Sequence, residues 1–251
     1  MIALPLSARA ALWATAVLHG RAPLDQARSR AYAGVTDVTG TLPEPDSWPA
    51  RGETAVLLAL PRPGSFTGMP RAPRESLTVA LDAGECLVAP TVGGVLVPTI
   101  EEFGPVGDTG RLLTWTAHPA EPLPRHVVEA VDLRELDRSL TGVVRDATER
   151  VEALGGIPWR SPAMTTNRTD IRAAVLPDGV PPRAARLMID AAVVHAVALE
   201  GLAEEHGGAA TDAATSSQRA AVFRTVLDTA DDTLAGAVNV AAMVLAGWRP
   251  A

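Results

Sequence analysis

The sequence predicts an α+β fold: a small, mainly antiparallel sheet with N-terminal helices, followed by a C-terminal three-helix bundle. Three observations carry this expectation. Short apolar runs crowd residues 53–118, at connections too short for helical crossovers. From about residue 126 the apolar period becomes helical and stays so. A proline-rich connector bracketed by His118 and His126 separates the two regimes. Residues 1–122 therefore hold the helices and sheet and residues 123–251 the bundle, with a core that the two parts can share.

The opening helix is capped by Ser7, repeats Ala10, Trp13, Ala14 and Val17 at spacings of three and four, and ends at Gly20. Pro23–Ala33 predicts a second helix, since proline is permitted at a helix start. Gly40–Gly52, rich in proline and acidic residues, is a connector. Thr54–Leu60 is a strand stopped by Pro-Arg-Pro-Gly. Leu77, Val79 and Leu81 alternate, so Arg74–Ala83 predicts a strand; a helical turn closed by Gly84 fits the same residues. Cys86–Ala89, Val95–Ile100 and Leu112–Thr116 complete the sheet.

Leu133, Leu136, Leu140, Val143, Ala147, Val151 and Leu154 form one apolar stripe on a long helix stopped by Gly155-Gly156. A short helix is expected at Asp170–Val175. The next long one follows Pro181-Pro182 and runs through Leu187, Ala191, Val194, Ala198 and Leu202. After a small-residue linker at Gly207–Ser217, the last helix starts near Ser216. From Leu234 to Ala246 it is apolar nearly all round, interrupted only by Asn239. Such a stretch is either a central core helix or a subunit interface; Gly236, Ala241 and Ala242 permit close approach in both cases.

Composition excludes several chemistries. All 22 basic residues are arginine, so no lysine can form a Schiff base or reach a nucleotide phosphate. The net charge of −7 and the scattered arginines argue against nucleic acid as a partner. Cys86 is the single cysteine; it lies in an apolar run beside Glu85 and predicts an inert thiol. The first residues lack the basic start of a secretory signal, and the apolar part of the last helix is too short to span a bilayer. A cytoplasmic protein without membrane contact is expected.

The most suggestive loop is Pro61–Pro70, directly after the strongest strand. Arg62 and the adjacent glycines, Gly64 among them, can hold a carboxylate or phosphate. Ser65 falls short of a nucleophile elbow, because position 63 is proline. A plain turn also accounts for these residues. His118 is the histidine expected to join the loop at one pocket.

Glu101, Glu102, Asp108, His118 and His126 lack the spacing of a metal motif. His195 and His206 share a helical stripe but stand roughly 16 Å apart, too far for one ion. Solvated or core histidines fit better. Asp228, Asp231 and Asp232 lie off the apolar stripe and are expected to face water or a neighbour. No metal and no cofactor is predicted. Gly104, Gly107 and Gly110 do not form a dinucleotide fingerprint, and the Asn167 sequon is void in a protein that is not secreted.

The segments ALPLSARAALW at 3–13, LALPRPG at 58–64, ALDAGE at 80–85, WRSP at 159–162 and PPRA at 181–184 occur in that order. Together they resemble an uncharacterised protein family of high-GC actinobacteria across most of the chain. The resemblance implies a source but no activity, cofactor or site residue. The residues themselves favour a non-catalytic cytoplasmic protein that acts through self-association or a protein partner, with the C-terminal helix as a homo-oligomer contact. The alternative is a small-molecule-binding protein or enzyme of unknown ligand, using Arg62, Gly64, Ser65 and His118.

Overall fold

The computed structural model describes residues 4–40, 48–105, 108–154, 176–207 and 213–250. The Gly155-Gly156 stop, Asn167, the Asp170–Val175 helix, Gly107 and the side chain of His206 lie outside the described residues.

The elements are α1 (Leu6–Leu18), α2 (Leu24–Ala31), β1 (Asp37–Thr39), a 3-10 turn (Trp48–Arg51), β2 (Leu57–Ala59), α3 (Arg74–Ala83), β3 (Cys86–Val88), β4 (Val95–Phe103), β5 (Gly110–His118), α4 (Arg125–Glu129), α5 (Leu133–Ala153), α6 (Pro182–Gly207) and α7 (Ala213–Leu245). The sheet has the order β1-β5-β4-β3-β2, antiparallel throughout except for the parallel β1–β5 pair. Helices α5, α6 and α7 pack on one another as the bundle. The fold class is α+β, as the two periodicities predict.

Of the two readings of Arg74–Ala83 the helical one holds: it is a helix closed by Gly84 at φ 70°; Val79 of its alternating set faces solvent, while Ser76 and Ala80 are buried. Three details differ from the expectation. A further strand, β1, is present. Ser7 does not cap α1, which starts after Pro5; Ser7 lies inside its first turn, with its N–H donating to Glu85 Oε2 at 2.8 Å. Finally, α7 begins at Ala213, so the later part of the expected linker is helix.

Strands β2 and β3 are apolar throughout because both sheet faces are covered there. Leu58, Leu87, Leu96 and Leu113 point into the larger cluster with Leu12 of α1, Met188 of α6 and Val238 of α7. Their neighbours Leu57, Ala59, Cys86, Val88, Val95 and Val97 point the other way, toward Ala80, Val128, Val240 and Met243. Helix α7 thus passes along the β2 edge and feeds both faces, which requires it to be apolar nearly all round. The stretch 234–245 is buried within the chain except at Gly236. That accounts for it as a core helix and leaves it no free face for a second copy. A Cβ at Gly236 would stand 2.6 Å from Leu136 Cδ1, so the close approach its small residues allow is to α5.

Asn239 interrupts the apolar surface where α7 meets the strand edge. Its Oδ1 accepts from Leu58 N–H at 2.7 Å, and its Nδ2 donates to Leu58 C=O at 2.9 Å. The amide therefore replaces the neighbour that an edge strand lacks and closes a backbone edge otherwise open to pairing. Asn239→Leu would bury one donor and one acceptor without partners. The expected loss in urea unfolding is about 2–5 kcal/mol. Asn239→Asp keeps only the acceptor and should not restore wild-type stability.

Candidate functional site

The loop after β2 is built around a tight turn. Arg62 N–H donates to Ser65 C=O at 2.8 Å and Ser65 N–H returns to Arg62 C=O at 2.9 Å. Pro63 presets the first central position, and Gly64 takes the positive φ of 90° that the second requires. Nothing stands near a Cβ at Gly64, so its role is backbone geometry rather than ligand approach.

The turn places the Arg62 side chain against the bundle. A Cβ on Gly84 would lie 2.8 Å from Arg62 Nη1, so the glycine that ends α3 also leaves room for the guanidinium. Arg62 Nε donates to Asp231 Oδ2 at 2.7 Å, and His195 Nδ1 stands 2.6 Å from Asp231 Oδ1. Asp231 is 3% exposed at its side chain, against 26% for Arg62 and 16% for His195. One buried carboxylate on α7 thus holds a loop arginine with one oxygen and an α6 histidine with the other.

The chemistry follows from which atoms can donate. An ionised carboxylate only accepts, so Nδ1 carries the imidazole proton in this pair. In the neutral ring Nε2 then bears the lone pair. Nε2 makes no hydrogen bond to a described residue. An imidazole fixed in one tautomer by a carboxylate can exchange a proton with a ligand through Nε2.

Asp228 and Asp232 lie beside Asp231 on α7 and are partly exposed. Loss of solvent pushes the Asp228 carboxyl above the usual range, Asp231 adds to this, and Arg62 opposes it. Asp232 is also raised, first by lost solvent and then by Asp231 and Asp228, against a hydrogen bond from Thr67. The folded protein therefore holds protons that the unfolded chain releases, and stability falls as pH rises from the usual carboxylate range through these raised values. Asp232→Asn keeps an acceptor for Thr67 and removes the repelled charge. It should raise the melting temperature near neutral pH, with the gain vanishing below the ordinary aspartate value of about 3.9. An unchanged melting temperature near neutral pH would contradict this.

On the far side of Arg62, Glu85 receives the Ser7 N–H at the start of α1. Burial pushes its carboxyl up, opposed by Ser7, Arg9 and Arg62. Cys86 follows it. Burial and then Glu85 push its thiol up to about 12, and its sulfur lies 3.4 Å from Met69 Sδ. This is an inert thiol.

Of the residues singled out in the sequence, Arg62, Gly64 and Ser65 build the turn, and Arg62 alone among them pairs with α7. Ser65 Oγ lies 3.5 Å from Thr67 Oγ1. Among the described residues His118 makes no hydrogen bond with Arg62, Gly64 or Ser65, and it stands three strand spacings, about 14 Å, from the start of β2. The chain just after it meets the other end of the loop, where Glu121 N–H donates to Arg71 C=O at 2.7 Å. The Nε2 of His118 is buried without a hydrogen-bond partner among the described residues.

The histidine linked to the loop through Asp231 is His195, and Asp231, expected to face water or a neighbour rather than the bundle interior, is buried and faces inward onto Arg62 and His195. Both were detectable. Asp231 is spaced four from Leu227, three from Leu234 and seven from Val238, and all three are buried. His195 is spaced three from Ala192 and Ala198, also buried. Each is a polar residue on the inward face of its helix. Among the described residues no three His, Cys, Asp or Glu side chains are placed to hold a metal ion. Nor is any helix among them long and apolar enough to cross a membrane.

The model of the Rv1486c-like protein N-terminal domain matches residues 7–130, and that of the Rv1486c-like protein C-terminal domain matches residues 134–235. In tandem they span nearly the whole chain. The chain belongs to the Rv1486c-like family. The first match holds the sheet and Arg62, and the second holds His195 and Asp231, so the site joins residues from both. No curated protein and no solved structure matches the chain.

Proposed function

We propose that this chain is a cytoplasmic small-molecule-binding protein with acid–base capability, its site at the junction of the 61–70 loop with α6 and α7. The observation that carries this reading is the double engagement of Asp231, which fixes Arg62 and His195 together. A histidine oriented through Nδ1 by a carboxylate is the arrangement that general acid–base chemistry uses. Thr67, Asp228 and Asp232 add polar groups around it, which suits a ligand with hydrogen-bonding groups rather than an apolar one. Self-association through the C-terminal helix has less support, since its apolar stretch is occupied within the chain.

The test is a ligand-observed NMR screen of small carboxylic acids, amines, alcohols and amides against wild type, His195→Gln and Thr67→Val. The expected result is at least one chemical class bound by wild type and lost in His195→Gln, while circular dichroism shows the variant folded. Binding that both variants retain, or no binding by any class, would overturn the proposal.

A further inference from the structure

The charges around His195 select among ligand classes, given the reading of the site proposed above. Three carboxylates, Asp228, Asp231 and Asp232, stand within five residues of α7. Asp231 spends one oxygen on Arg62 and the other on His195. Asp228 and Asp232 are partly exposed and form no ion pair with a described residue. With Arg62 set against Asp231 and the imidazole neutral, two formal negative charges remain uncompensated on this stretch of helix.

Three acceptors are left unused. Residues four apart on a helix share a face, with Cβ atoms about 5–6 Å apart, so Asp228 and Asp232 flank one patch next to Asp231. The third acceptor is the lone pair on Nε2 of His195. An anion would face two carboxylates without counter-charge, and a neutral ligand would leave both charges in place. An ammonium ion carries a positive charge and three N–H donors, which matches three acceptors. Lost solvent and then Asp231 oppose ionisation of Asp228; lost solvent and then both neighbouring aspartates oppose that of Asp232. A cation between them relieves this repulsion. A bare metal ion fits less well, since no three His, Cys, Asp or Glu side chains among the described residues are placed to ligate one.

We propose that the site takes a small primary ammonium ion, held by Asp228 and Asp232 and presented to Nε2 of His195.

Ligand-observed NMR titrations near neutral pH test this with four probes that share a butyl chain: butylammonium, butyltrimethylammonium, butyrate and butanol. Wild type should bind butylammonium at least about tenfold more tightly than each of the other three, because only it offers both the charge and the N–H donors. The double variant Asp228→Asn, Asp232→Asn keeps the side-chain volumes and should weaken butylammonium about tenfold or more, with circular dichroism showing it folded. Absence of butylammonium binding, equal affinity for butyltrimethylammonium, or unchanged affinity in the double variant would each overturn the ammonium assignment. Butylammonium binding that survives His195→Gln would place the cation away from the imidazole and also overturn it. Preferential binding of butyrate or butanol that is lost in His195→Gln would overturn the ammonium assignment alone, leaving the small-molecule site itself supported.

Discussion

Asp231→Ala is expected to lower stability by about 3–5 kcal/mol, because it strands two partners at once. The Arg62 guanidinium loses its 2.7 Å contact and the His195 imidazole its 2.6 Å contact, both at a carboxylate that is 3% exposed. A buried charge left without its counterpart costs more than the pair contributed, since the desolvation penalty remains and the attraction does not. Asp231→Asn keeps the volume and one acceptor oxygen, so it should cost less than the alanine. A combined replacement of Arg62 by Met, Asp231 by Leu and His195 by Phe should recover most of the loss, as apolar side chains of similar size avoid the desolvation penalty. Urea unfolding of the four proteins checks these expectations. A loss below about 1 kcal/mol for Asp231→Ala would mean that the three side chains are solvated and uncoupled.

Glu53→Ala is the second large effect, and it is structural. Glu53 is 3% exposed and receives four backbone N–H groups. Oε1 takes Thr54 at 2.9 Å and Ala55 at 3.3 Å, and Oε2 takes Thr91 at 2.8 Å and Val92 at 3.1 Å. One carboxylate thus ties the approach to β2 to the turn between β3 and β4. Removing it orphans donors on both segments, for an expected loss of about 3–5 kcal/mol. Glu53→Gln should recover little, because its NH₂ would face backbone donors rather than acceptors. Hydrogen exchange at Thr91 and Val92 separates local opening from global unfolding: in Glu53→Ala both amides should exchange faster than those of β4. Unaltered exchange at these two positions would contradict the assignment.

Much of this fold is legible in the sequence wherever one physical rule acts alone. The α5 stripe is a clean helical period on a half-exposed helix, and it gives Leu133–Ala153 within a residue or so. The runs over β2, β3 and the start of β4 read as strands because both faces are buried. Legibility fails where partners distant in sequence decide. Strand β1 has three residues with no buried position, and only its pairing with Leu112–Thr114 makes it a strand. In α3 the alternation of Leu77, Val79 and Leu81 imitates a strand although the chain closes as a helix on Gly84.

The site divides in the same way. Arg62 is visible from its loop, since Pro and Gly declare the turn that presents it. Its partner is not, because Asp231 lies 169 residues away. A stripe drawn through Leu227, Ala230 and Leu234 of α7 leaves Asp231 outside it, although Leu227, Asp231, Leu234 and Val238 make an equally regular inward row. Polar residues within such rows are where a sequence alone can locate buried pairs. His118 shows the converse: its closeness in sequence to the sheet says nothing about which end or strand it reaches.

The most direct measurement is the long-range ¹H–¹⁵N correlation spectrum of the His195 imidazole in the intact chain. With Asp231 holding Nδ1, the neutral ring must carry its proton there, and Nε2 must show the shift of an unprotonated, lone-pair nitrogen. That pattern should be lost in Asp231→Ala and perturbed by any small molecule bound at the 61–70 loop. A neutral ring protonated on Nε2, with Nδ1 free, would contradict the Asp231–His195 arrangement and the function built on it.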